Sequence, residues 1–127
     1  MKTWGTAIKD NDTFADIYCE FFDLYNQGEQ PNDISKKLIE EIYGILERGE
    51  DRNNFWFALS LAQWKTKCFD SEVLSAVENI ITTGHDLKMW GERDASKKDI
   101  KKRQIVLEKF LVKIKSERPK AKARKNP

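Results

Sequence analysis

The sequence has one histidine, two cysteines and three prolines. His85 with Cys19 and Cys68 cannot assemble a typical zinc site without carboxylates. The cysteines lack CxxC spacing and each falls inside a helical apolar pattern, so reduced core thiols are expected rather than a disulfide. No apolar run approaches the ~18 residues that a membrane-spanning helix needs. No basic segment followed by an apolar stretch marks a secretory signal, and a cytoplasmic protein without membrane contact is expected. GxxxxGK[ST], GxGxxG and GxSxG are missing, which removes the common phosphate loops and the nucleophile elbow. No segment alternates apolar and polar residues over a strand's length, apart from a few residues near Trp4.

What is present is helical periodicity and charge. The 127 residues are 35% charged and 39% hydrophobic, enough for one globular domain with a real core. The charge is unevenly spread. Residues 97–127 carry 13 Lys and Arg against 3 Asp and Glu, and residues 1–96 carry 10 against 18. An acidic body thus ends in a basic segment.

Phe14, Ile17, Tyr18, Phe21, Leu24 and Tyr25 share one helix face, with Asp16, Glu20 and Asp23 opposite, over about Thr13 to Gln27. Gly28 and Pro31 stop that helix. A second helix is expected from an Asn32 or Asp33 N-cap, with an apolar arc through Ile34, Leu38, Ile39, Ile42, Ile45 and Leu46. Gly44 inside it would be explained by a closely packed neighbouring helix. NNFWFALSLAQWKTKC is apolar on two sides and should be buried by neighbours on both. Trp56 lies on its polar stripe, either in the core or at a contact surface. A fourth helix follows a Ser71 N-cap and ends at Gly84, and a short one centres on Leu87 and Trp90. Ser96 and Asp99 resemble a capping box opening a last helix over about Lys97 to Lys115, whose core stripe is Ile100, Leu107, Phe110, Leu111 and Ile114. The expected fold is all-α: a compact single-domain bundle of about five or six helices, mostly antiparallel pairs, over residues 1–116. Residues 117–127 are expected to be a flexible basic tail, or one folded back on the acidic body.

Asp10-Asn11-Asp12 invites a metal reading. An EF-hand loop counted from Asp10 needs glycine sixth and Glu twelfth, but those positions hold Ala15 and Phe21. Capping of the first helix by Asn11 or Asp12 fits instead. His85, directly after the expected C′ glycine Gly84, reads as a helix-end residue rather than a catalyst. No catalytic residue, metal site or cofactor is assigned.

Trp4, Gly5, Asp10 and Asp12; Phe55, Ala58, Leu59, Gln63 and Trp64; Gly84, Asp86, Leu87 and Trp90; and Lys102, Arg103 and Leu107 form one spaced constellation. In it the chain resembles a group of small bacterial proteins of unknown function. These open with Trp-Gly-Thr and an acidic pair, and continue with an aromatic Ala-Leu helix ending in Gln-Trp and a Gly-x-Asp-Leu-x-x-Trp turn. A basic helix and a Pro-Lys tail close them. The resemblance covers most of the chain and brings no catalytic motif. Some such proteins are similar to immunity proteins encoded beside secreted toxins.

The function expected is therefore a non-enzymatic binding protein of immunity or antitoxin type. An acidic surface of Asp16, Glu20, Asp23, Glu40, Glu47, Glu50 and Asp51, with Trp56, would meet a protein partner such as a basic toxin domain. The alternative is a nucleic-acid-associated protein using Lys98, Lys101, Lys102, Lys109, Lys113, Lys120, Lys122, Arg124 and Lys125 to neutralise phosphates. A third reading is an enzyme with dispersed carboxylates.

Overall fold

Asn11 starts the first helix. Its backbone is extended and its side-chain Oδ1 accepts the Phe14 N–H at 3.0 Å, which satisfies one of the orphan donors of the first turn. Asn11→Ala is expected to cost about 1 kcal/mol, read as a lower urea midpoint at unchanged slope. The computed structural model describes residues 11–46, 49–92 and 94–124, with the backbone alone at residue 50. Trp4, Gly5 and Asp10 lie outside the described residues, as do Glu47 and Lys125 and the side chain of Glu50.

Six α-helices and no strand occur among the described residues. They are α1 (Asp12–Asn26), α2 (Pro31–Glu41), α3 (Gly49–Lys65), α4 (Ser71–Thr82), α5 (His85–Glu92) and α6 (Lys97–Lys115). The all-α bundle read from periodicity is the fold. None of these helices is long and apolar enough to cross a membrane.

Side-chain bonds give the helix directions. Thr13 Oγ1 donates to Asp51 Oδ1 (3.0 Å), and Lys65 Nζ donates to the Tyr18 hydroxyl (2.7 Å). The first turns of α1 and α3 are therefore neighbours, and the two helices run the same way. Gln63 Nε2 donates to Ser35 Oγ (2.8 Å), which sets the start of α2 beside the end of α3. Arg103 reaches Asn54 near the start of α3, and Trp64 Nε1 donates to the Ser116 carbonyl just past the end of α6. So α1, α3 and α6 run together, and α2 and α4 return between them.

α3 is the central element. Phe55, Phe57, Ala58, Leu59 and Ala62 are fully buried. Burying a large side chain of this kind stabilises by about 1.5–3 kcal/mol each. Phe14, Ile17 and Phe21 of α1 close one side of the core, and Leu107, Phe110 and Ile114 of α6 close the other. Gly28 (φ 104°) and Gly84 (φ 73°) end α1 and α4 in the left-handed conformation that glycine adopts without penalty.

Several local expectations are corrected. Neither Asn32 nor Asp33 caps α2. Pro31 takes the first helical position, where its missing N–H costs nothing, and Asn32 Oδ1 accepts the Cys68 thiol instead. α2 stops at Glu41, and one 3-10 turn (Tyr43–Ile45) swings the Tyr43 ring onto Phe55 and Trp56, with centroids 5.4 and 5.0 Å away. Ile39, Ile42 and Leu46 still pack against the core, but Ile45 is 74% exposed, and no described atom comes within 4 Å of a Cβ built at Gly44. Asp70, not Ser71, caps α4 by accepting the Glu72 N–H at 2.9 Å. Both cysteines are free as expected, but neither is a core thiol; Cys19 is exposed among the acidic positions of α1, and Cys68 is half-buried.

One core feature was not read from periodicity. Arg103 (2% exposed) and Asp86 (0%) form a buried salt bridge, with Nε 2.9 Å from Oδ2. The Arg103 guanidinium lies between the Trp90 and Phe57 rings, 5.2 and 5.7 Å from their centroids. The pair joins α5 and α6 to the centre of the bundle.

Candidate protein-binding surface

The aromatic face of α1 packs inward, and this fixes which residues the opposite face offers. Asp16, Glu20 and Asp23 all stand exposed there, on a stretch about 10 Å long. Three ion pairs occur among the described residues: Lys37 with Glu29, Arg103 with Asp86, and Lys115 with Glu78. None of them engages Asp16, Glu20 or Asp23. Ala15 and Cys19 lie exposed alongside the carboxylates, so the row borders a shallow strip of small side chains. Beneath it Phe14, Tyr18, Phe22 and Tyr25 form a chain of ring contacts that holds the helix in one orientation.

Among the described residues, the other candidates do not join this row. Asp51 is half-buried and accepts the Thr13 hydroxyl. Glu40 is exposed on α2 and lines a cleft shared with Asp70 and Glu72 at the start of α4. Trp56 is half-buried against Tyr43 and Phe55. It borders a cleft of about 370 Å³ with Arg52, Asn53, Asn79 and His85.

In that cleft the Asn53 amide hydrogen-bonds His85 Nδ1, with a nitrogen–nitrogen separation of 3.0 Å. His85 therefore does not serve as a cap for α4. The left-handed turn at Gly84 leads directly into α5, and the imidazole is taken up by α3. A Cβ at Gly49 would sit 3.3 Å from the His85 ring, so the glycine permits their close approach. Among the described residues no carboxylate or thiol lines the cleft. It can offer hydrogen bonds and aromatic faces to a ligand. No cluster of three or more His, Cys, Asp or Glu able to hold a metal ion occurs among the described residues.

The basic candidates split into two groups. Lys98, Lys101, Lys102, Lys109 and Lys113 are exposed on α6, with Ile105 (45% exposed) and Val112 (71%) between them. Because α3 lies between α1 and α6, the acidic and basic faces point to different sides of the bundle. The second group leaves this face at Ser116. Residues 117–124 carry no helix and lie along the body. Lys120 faces solvent, while Lys122 and Arg124 turn onto α1.

No protein family, curated protein or solved structure matches the chain.

Proposed function

We propose that the chain is a non-enzymatic binding protein that neutralises a protein partner through the acidic face of α1, in the manner of an immunity protein or antitoxin. The observation that supports this is the exposed row Asp16, Glu20 and Asp23, which no cation among the described residues engages. Such a row attracts a basic surface and speeds encounter, while strips of small side chains beside it allow close approach. A basic toxin domain has the matching chemistry.

The test is a comparison of the chain with its Asp16→Lys/Glu20→Lys/Asp23→Lys variant against a partner purified from the native host. The on-rate is expected to fall roughly 10-fold or more at low salt, with a smaller difference at high salt. A folded triple variant that associates as fast as the parent would overturn the reading.

The arc of five exposed lysines on α6 supports a second reading, contact with nucleic-acid phosphates. A polarisation titration with generic DNA and RNA at two salt concentrations decides it: binding that weakens with salt and with Lys101→Glu/Lys102→Glu/Lys109→Glu supports it, and no binding removes it.

A further inference from the structure

We propose that the end of the bundle where α1, α3 and α6 finish is a recognition site for an extended basic peptide, and that residues 118–124 of the chain occupy it in cis. This inference goes beyond the α1 reading and does not depend on it.

Three parallel helices ending together bring their carbonyl ends to one side of the molecule, where their dipoles favour cations. α1 has no basic residue in its last turn. The missing cation comes from 99 residues away, as Arg124 donates to the Tyr25 carbonyl and, at 2.8 Å, to the Glu29 carbonyl. Its guanidinium carbon lies 4.2 Å from the Tyr25 ring centroid, a cation–π contact.

Two residues earlier, Lys122 pairs its backbone on both sides. Its N–H donates to the Lys65 carbonyl at the end of α3 (2.7 Å), and its carbonyl accepts the Tyr25 hydroxyl (2.5 Å). Its ammonium stands 5.9 Å from the Phe22 centroid. Further back, Arg118 lies 5.0 Å from the Trp64 centroid.

Lys120, Ala121 and Ala123 are exposed. Lys122 is half-buried and Arg124, itself exposed, reaches the body through its guanidinium, so the contacts of residues 121–124 fall two residues apart. The body contributes backbone carbonyls, a phenol, aromatic faces and the Lys67 ammonium, which donates to the Pro119 carbonyl at 3.2 Å. None of these demands the chain's own tail. Any extended segment with Arg or Lys two residues apart meets the same groups. The covalent connection gives the tail an effective concentration of order mM, so a free peptide competes poorly until the cis contacts are removed.

The experiment uses the full chain carrying Lys122→Glu and Arg124→Glu, with a fluorescein-labelled synthetic peptide of residues 116–127 as probe. Polarisation is expected to show saturable binding to this variant and roughly 10-fold or more weaker binding to the unaltered chain. The same peptide carrying the two Glu substitutions, and a scrambled peptide of equal composition, are expected to bind neither. Should charge reversal unfold the chain, Lys122→Gln/Arg124→Gln replaces it, with native helicity checked by circular dichroism. No peptide binding by a folded variant, equal affinity for variant and parent, or equal binding of the scrambled peptide overturns the proposal. The probe is the peptide and the readout its affinity, so this inference and the α1 reading can each fail without the other.

Discussion

Arg103→Ala is expected to lower the unfolding free energy by about 3–5 kcal/mol, a large share of the roughly 5–15 kcal/mol that holds a domain together. The guanidinium is 2% exposed and its partner Asp86 is fully buried. Removing the cation leaves the carboxylate in the core without a counter-charge. Asp86 is poorly placed to bear this, because its Oδ1 already lacks a hydrogen-bond partner. The gap beneath Trp90 adds a packing loss. Urea unfolding followed by circular dichroism measures the effect, and a cost below about 1 kcal/mol would contradict the account. The paired replacement Asp86→Leu/Arg103→Met is expected to be more stable than either single change. It removes two desolvated charges and keeps apolar volume.

Phe57→Ala carries the next largest expected loss, about 3–5 kcal/mol. Phe57 is fully buried on α3 and packs edge-on against Phe110 of α6, with centroids 5.8 Å apart. Its ring is also one of the two that flank Arg103. Truncation opens a cavity at the junction of two helices and withdraws a wall from the buried ion pair. The losses for Phe57→Ala and Arg103→Ala are therefore expected not to add, and a double-mutant cycle reads the difference. Additivity within about 0.3–0.5 kcal/mol would mean that ring and guanidinium act independently.

The helices were legible because their apolar positions recur at helical spacing with capping residues before them. Asn11 with Phe14 and Ser96 with Asp99 are local signals that tertiary packing left in place. The end of α2 was not legible: Ile42, Ile45 and Leu46 continue its pattern, while the 3-10 turn that follows sets the Tyr43 ring against Phe55 and Trp56 of the next helix. Arg103 was hidden by chemistry rather than spacing. Positions 103, 107, 110 and 114 form one helical stripe, but an arginine in a lysine-rich helix reads as solvated. Its spacing to Leu107, together with Asp86 four residues before Trp90, was the available signal.

The α1 row of the candidate site could be read directly, since one helix contains it. Glu40 and Trp56 lie on other helices, and the packing of α2 and α3 sends them to separate clefts. The fold of the tail over the helix ends depends on carbonyls and ring faces from three distant segments, for which sequence spacing carries no signal.

Cys19 gives the acidic row a further consequence. The thiol is exposed beside Glu20 and between Asp16 and Asp23. Air oxidation that joined two copies through it would have to press one row of carboxylates against another. That repulsion reaches about 10 Å at 0.1 M salt and contracts as salt is added. Dilute buffer is therefore expected to slow covalent pairing through Cys19, and concentrated salt, usually a safe storage condition, to remove that protection.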